Sequence, residues 1–226
     1  LLDDRVFPTL GILQIAAVLE EHGHDVYVED LGGVTDPVSK ISSMIRQGFD
    51  TYGITSTTPQ FPSTVQILET IRQEDPTKRV IIGGPHATVM PESCGMFDCV
   101  VRGDGEAAIL DAIKDGAPKI IDEATNTVKG ELKWHWPARH LIDFDSYKYT
   151  LMGIKGTSMM LSQGCPFSCS FCCGRTIPYY RRVRSRNVDD VVMEMQSLKD
   201  TYGISAVMAF DDEVNILQEP LLEFCK

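Results

Sequence analysis

The segment Ser162-Gln163-Gly164-Cys165-Pro166-Phe167-Ser168-Cys169-Ser170-Phe171-Cys172-Cys173 holds the side chains best suited to chemistry. Cys165, Cys169 and Cys172 stand at C-x-x-x-C-x-x-C spacing in a turn rich in Gly, Pro and Ser. Such a loop can wrap three thiolates around one inorganic centre, and soft sulfur ligands select iron–sulfur clusters or zinc. A closed tetrahedral zinc site takes four ligands, usually from two C-x-x-C-like pairs or a Cys/His pair. No second pair follows, and Cys173 is too close to Cys172 to share a metal with it without strain. Three ligands on a four-iron cube leave one iron open. A structural zinc loop, a disulfide and chance spacing are the competing readings.

The elements that must position this loop follow from the pattern around it. Ser158 to Ser162 reads as the first strand of a sheet, delivering the cysteines at its carboxyl end. Arg186 to Tyr202 reads as an amphipathic helix with Val188, Val191, Val192, Met195 and Leu198 on one stripe. Asn187, Asp189 and Asp190 give it an acidic start that suits the helix dipole. Ser205 to Phe210 is a second strand ending in Asp211-Asp212-Glu213, and Glu219 opens a further helix. Together these make two β/α units, the start of a partial (β/α) barrel. Phe167 and Phe171 supply an apolar wall or pack in a core, and Arg184 neutralises a carboxylate or caps the barrel entrance.

The first half alternates strand and helix. Leu10 to Glu21 reads as a buried helix ending at Gly23, and Asp25 to Asp30 as a β-branched strand. Helices over Pro37 to Gln47, Pro62 to Gln73 and Glu106 to Lys114 alternate with strands over Asp50 to Ser56, Arg79 to Gly84 and Cys99 to Gly103. This alternation predicts a doubly wound, Rossmann-like (flavodoxin-like) parallel sheet. Ligands in such sheets bind at the carboxyl edge, here the loops 30–36, 55–61, 83–88 and 103–106. No G-x-G-x-x-G follows the first strand, which disfavours a nicotinamide cofactor. His22 and His24 read as capping or solvated.

Between the halves, 119–134 alternates around Ala124-Thr125-Asn126 like a two-stranded ribbon. Trp134 and Trp136 then open an aromatic connection that could stack on a ligand but reads as packing between domains. The net charge of −11 argues against a nucleic-acid partner, which requires a basic surface, and makes the Arg181–Arg186 cluster local. No apolar run reaches membrane-span length and no signal-peptide pattern is present. An odd count of seven cysteines reads as reduced thiols in a cytoplasmic compartment. The chain opens at Leu1 without Met and stops at Lys226 inside a helical pattern, as a piece of a longer protein would.

The cysteine loop, with Phe171 just before its last thiol and Gly164 before its first, resembles the signature of radical S-adenosylmethionine (radical SAM) enzymes. In the first half, "TLGILQIAAVLEEHGHDV", "DTYGITSTT", "VIIGGPHAT" and "VVRGDGEAAI" resemble, in order, the cobalamin-binding domain that precedes the radical SAM domain in one large subgroup. The resemblance implies a cobalamin-binding domain over 1–118, a linker with ribbon over 119–150, and the front of a radical SAM barrel over 151–226. It implies a [4Fe-4S] cluster on Cys165, Cys169 and Cys172, with S-adenosylmethionine chelating the open iron. The reduced cluster would cleave that ligand into methionine and a 5′-deoxyadenosyl radical. Phe171, Asp212 and Glu213 would contact S-adenosylmethionine, although Asp-Asp-Glu stands where many radical enzymes carry Gly-Gly-Glu. Thr55, Ser56, Thr57, Gly83, Gly84, His86, Gly103 and Glu106 would contact cobalamin. His86 would ligate cobalt or donate a hydrogen bond to the corrin, or else remain a loop histidine. The D-x-H-x-x-G sequence that supplies a lower ligand elsewhere is absent, so cobalt without a histidine beneath it is expected.

The function so implied is methyl transfer to an unactivated carbon, with cyclisation or rearrangement as the second choice. It requires an external electron donor and a small-molecule or peptide substrate, and neither nucleic acid nor membrane. The rivals are a non-catalytic cobalamin-binding protein with a structural metal loop, and a flavodoxin-like domain fused to a ferredoxin-like carrier.

Overall fold

The computed structural model describes residues 5–124, 127–128 and 131–226, and the chain divides into two compact units, Gly33–Thr125 and Leu1–Gly32 with Asn126–Lys226. In the order of the chain, α1 is Leu10–Glu21, the span its apolar run predicts. It ends where Gly23 takes a φ of +80°, and the His22 ring contacts Val18 O at 2.7 Å, serving as a cap. Asp36 accepts from Ser39 N at 3.1 Å and starts α2, Pro37–Ile45.

The unit Gly33–Thr125 is a parallel sheet of β1 (Thr51–Thr55), β2 (Arg79–Gly83), β3 (Cys99–Gly103) and β4 (Ile120–Ala124), in the order β1-β2-β3-β4. Between them run α3 (Phe61–Glu74), α4 (Gly84–Val89) and α5 (Gly105–Ala112). The register pairs Thr55 with Gly83 and Ile82 with Val100, so the strands finish on one edge. Val80, Ile81, Ile82, Cys99, Val100 and Val101 are all buried, as the unbroken apolar runs demand of a parallel sheet covered on both faces. Each such aliphatic side chain contributes about 1.5–3 kcal/mol by leaving water. One cluster joins Ile81, Cys99 and Val101 to Ala108 and Ala112 of α5.

The expected parallel α/β, Rossmann-like class is observed, with two local corrections. Ile120–Ala124, read as half of a ribbon, is the fourth parallel strand, and the ribbon is reduced to β5 (Thr127–Val128) against β6 (Glu131–Leu132). The turn read at 125–126 lies outside the described residues. Asp25–Asp30 joins no ladder. Its alternation suits a strand, but no neighbouring strand among the described residues pairs with it; at its end Arg5 donates to Asp30 O at 2.6 Å and the Tyr147 hydroxyl to Asp30 Oδ2 at 2.6 Å. Burial and that carboxylate push the Tyr147 phenol well above its ordinary pKa. The 30–36 loop therefore does not follow a sheet strand.

In the other unit, β7 (Thr150–Leu151) and β8 (Ile154–Met159) form a hairpin through Met152 and Gly153, both at positive φ as a tight primed turn requires. The chain continues through β9 (Ser162–Gln163), which pairs antiparallel with β10 (Arg184–Ser185), and then α6 (Val188–Tyr202). It returns in β11 (Ala206–Ala209), parallel to β8, and ends in α7 (Gln218–Phe224). This β8-α6-β11-α7 order is the pair of β/α units read from the sequence. Phe144, Met159, Val191, Leu198 and Ile204 form its core. Val192, placed on the buried stripe by periodicity, is half exposed, and Glu194 occupies that face instead. Among the described residues no helix is long and apolar enough to cross a membrane.

Candidate functional site

The cysteine loop is fixed at its root. Several backbone groups where β8 leaves the sheet meet charged side chains. Arg139 donates to Ser158 O at 3.2 Å, and Arg186 donates to Met160 O at 2.9 Å. Both guanidiniums are buried, and Glu194, 1% exposed, sits between them at 2.6 Å from Arg139 and 2.8 Å from Arg186. Trp134 donates its indole N–H to Glu194 at 3.1 Å and lies 4.4 Å from the Arg186 guanidinium, while Trp136 donates to Asp190 at 2.8 Å. Both tryptophans thus bond side chains of α6 within one unit, whereas the expectation was packing between domains. Asp211 accepts from the N–H groups of Leu161 and Ser162, and Asp212 accepts from Gly164 N–H at 2.8 Å.

Gly164 holds a φ of +91°, and a Cβ there would fall on the Arg182 carbonyl oxygen, so only glycine fits without movement. Cys165 N then donates to Tyr180 O at 2.9 Å. Further along, Arg181 donates to Pro166 O at 2.7 Å and Ser168 Oγ at 2.8 Å, and Cys172 N donates to Cys169 O at 3.1 Å. Arg184 is buried and donates to Gln163 Oε1 at 3.2 Å, joining β10 to β9. Arg181, Arg184 and Arg186 of the basic cluster thus bond neighbouring backbone and side chains.

Cys165 is half-buried, Cys169, Cys172 and Cys173 are exposed, and none of the four is in a disulfide. Among the described residues, no group of three or more His, Cys, Asp or Glu side chains is placed to hold a metal ion, so the three sulfurs are not gathered in this structure. The donor set itself fits a soft centre: three free thiols on one short loop, the first on an anchored backbone and the others open to solvent. Phe171 is 91% exposed and Phe167 57%, which excludes core packing for Phe171. Glu213 is half-buried at the same strand end.

The second group of expected site residues gathers at the carboxyl edge of β1–β3. Ser56 is buried; its N–H donates to Gly83 O at 3.3 Å, its carbonyl accepts from His86 N at 2.9 Å, and its Oγ accepts from Thr64 at 3.0 Å. Gly84, at φ +86°, lies where a Cβ would meet Thr55 Oγ1. Gly103, at φ +95°, donates to Thr88 Oγ1 at 3.2 Å, and Glu106 stands half-buried in the first turn of α5. Thr57 donates through both N–H and Oγ1 to Gln60 Oε1. The exposed hydroxyls of Thr55 and Thr57 and two glycine turns make a polar, backbone-rich edge suited to a large polar ligand.

His86 is enclosed by its neighbours. It is 3% exposed, stacks on Phe61 at 3.9 Å, and engages Thr58 Oγ1 at 3.1 Å and Ser93 Oγ at 2.9 Å with its two ring nitrogens. Burial lowers its pKa and keeps it neutral. With both nitrogens occupied, neither is available to cobalt or to a corrin amide in this structure. The residues that sequence reasoning missed are Glu194 and Arg139. Glu194 carried a signal: it lies three residues after Val191 and four before Leu198, on the buried stripe of α6.

The B12 binding domain family matches residues 4–113. An uncharacterized methyltransferase of Pyrococcus horikoshii is 31% identical over 91% of this chain and 49% of its own length. The anaerobic magnesium-protoporphyrin IX monomethyl ester cyclase of Cereibacter sphaeroides is 25% identical over 97% of this chain and 40% of its own. The chain thus spans about half, or less, of these curated relatives. The solved structure of the cobalamin-dependent S-adenosylmethionine radical enzyme OxsB shares the fold, with a TM-score of 0.68 and 17% identity over 96% of this chain and 34% of that one. Over residues 4–113 the chain is thus similar to B12 binding domains, and over nearly its whole length to methyltransferase and cyclase relatives.

Proposed function

We propose that the chain is part of a cytoplasmic, cobalamin-dependent radical SAM enzyme that transfers a methyl group to an unactivated carbon. The observation that carries this reading is the pairing, in one chain, of a polar carboxyl edge on a B12-binding domain with three free thiols at the end of a β/α-barrel strand. Cys165, Cys169 and Cys172 would hold a [4Fe-4S] cluster. Such a cluster, reduced by an external donor, supplies the electron that breaks the sulfonium C–S bond of S-adenosylmethionine.

The chain's own residues act by placement. Glu194 neutralises Arg139 and Arg186, which grip the strand leading into the loop. Gly164 turns the chain so that Cys165 can bond Tyr180 O. On the other unit, Thr55, Thr57 and the turns at Gly84 and Gly103 offer hydroxyls and close backbone to the amide-rich rim of cobalamin. His86 supports that edge from behind. The net charge of −11 fits a small-molecule or peptide substrate rather than nucleic acid. Cyclisation is the second reading, favoured by the 97% coverage in the cyclase relative.

Anaerobic iron and sulfide analysis tests the proposal. The reconstituted chain should hold about four irons, and Cys169→Ala should hold far fewer. Iron retained in full by that variant, or zinc in its place, would reduce the loop to a structural metal site and leave a cobalamin-binding protein without radical chemistry.

A further inference from the structure

The ladder between β8 and β11 ends where Phe210 N donates to Met159 O at 2.8 Å. Beyond it the chain after β8 leaves β11 and pairs with β10 through Ser162 and Gln163, and the amides on the side that faced β11 need other acceptors. Asp211 takes them over. Its two oxygens accept from Leu161 N–H at 3.2 and 3.1 Å, and Oδ1 also accepts from Ser162 N–H at 2.5 Å and Ser162 Oγ at 2.7 Å. Asp212 Oδ2 accepts from Gly164 N–H at 2.8 Å. The next amide, that of Cys165, goes to Tyr180 O. Two consecutive carboxylates thus replace the lost ladder bonds up to the residue before the first thiol. Charge-assisted bonds of this kind are roughly twice as strong as neutral ones. A carboxylate committed to amide donors is also a poor counter-charge for a ligand's ammonium group.

We propose that Asp211 and Asp212 are positioning residues that clamp backbone 161–164 and thereby fix Cys165, instead of holding the ammonium group of S-adenosylmethionine. The consequence for the metal rests on the function proposed above; the clamp itself does not.

Asp212→Asn and Asp212→Ala separate the two roles, because Asn keeps an oxygen that can accept from Gly164 N–H but carries no charge. In the metal-free chain, amide hydrogen exchange at Gly164 and Cys165 should quicken about tenfold in Asp212→Ala and no more than about twofold in Asp212→Asn. Asp211→Ala should release Leu161 and Ser162 in the same way. Should that variant fold poorly, Asp212, whose side chain is exposed, carries the test alone. After anaerobic reconstitution, Asp212→Ala should lose iron to a chelator about tenfold faster than the parent chain with an altered cluster spectrum, and Asp212→Asn should match the parent in both. Unchanged exchange in Asp212→Ala, with S-adenosylmethionine binding weakened equally in both variants, would overturn the clamp in favour of the ammonium role. A parent chain that takes up no iron and sulfide would sink the proposed function, while the exchange data would still decide the clamp.

Discussion

Two loop systems end parallel strands in this chain, and they are held in opposite ways. The edge at 55–57 and 83–86 is built from neutral groups: hydroxyls of Ser56, Thr64, Thr58 and Ser93, a neutral His86, and backbone bonds between neighbouring strand ends. The root of the cysteine loop is built from charges, with Arg139, Arg186 and Glu194 on the strand side and Asp211 and Asp212 on the amides. The first arrangement closes on itself, and its histidine is consumed by the fold. The second fixes one thiol and leaves two at the surface. On the function proposed above, the first would admit a large polar molecule to an edge the polypeptide has finished, and the second would wrap an inorganic centre with ligands on a tethered but open loop.

The sharpest way to break this contrast is to remove the charge at its centre. Glu194→Ala would leave the buried Arg139 guanidinium without a counter-ion, while Arg186 keeps Asp190 at 2.6 Å, and the expected loss is about 3–5 kcal/mol in denaturant unfolding of the unit that carries the loop. Replacing Glu194 together with Arg139 and Arg186 by Leu and Met should cost less than the single change, because no buried charge is then stranded. A single variant as stable as the parent would mean that water, not Glu194, neutralises Arg139.

A paired glycine substitution sharpens the comparison at the next level. Both Gly164 and Gly84 hold positive φ, so alanine adds about 1–2 kcal/mol of backbone strain at either. The obstacles differ: at Gly164 the new methyl meets the Arg182 carbonyl, whereas at Gly84 it meets first the Thr55 hydroxyl, which can rotate, with Ser56 N behind it at 3.2 Å. Gly164→Ala should therefore be the more damaging, by about 1–3 kcal/mol in unfolding free energy, and should also lower iron uptake. Equal losses would show that the two turns are held equally tightly.

The legible part of this molecule was the part written in periodicity. The apolar run of α1 and the buried runs of β2 and β3 appear at the positions their composition dictates, because burial on all sides leaves little room for another structure. The cysteine spacing named the loop, and the order of strands named the edge. Asp25–Asp30 failed as a strand because alternation describes a half-buried surface but not whether a neighbour exists to pair with. Ile120–Ala124 joined the sheet for the converse reason, its neighbour being supplied by β3. Asp211 and Asp212 stood where a ligand contact was expected, and their amide partners depend on the path of a chain 48 to 50 positions away. Long-range polar pairing of that kind has no local pattern to read.

The smallest effect expected concerns His86 and completes the contrast, since it tests the neutral edge by charging it. Burial lowers the His86 pKa from its ordinary 6.5, so the unfolded chain binds a proton at a pH where the folded chain refuses one. Stability contributed by the neutral ring is therefore present above 6.5 and is lost as pH falls from there toward the lowered folded value. His86→Asn removes that titration while keeping a polar side chain beside Thr58 and Ser93. Its unfolding free energy should be lower than the parent's at pH 7, and the difference between the two should shrink between pH 6.5 and 5. Taking the difference cancels His22, His24, His135 and His140, which both proteins share. Hydrogen exchange in β1 and β2 supplies the local readout. Parallel pH curves for parent and variant would mean that the ring accepts its proton in the folded state and that the edge tolerates charge after all.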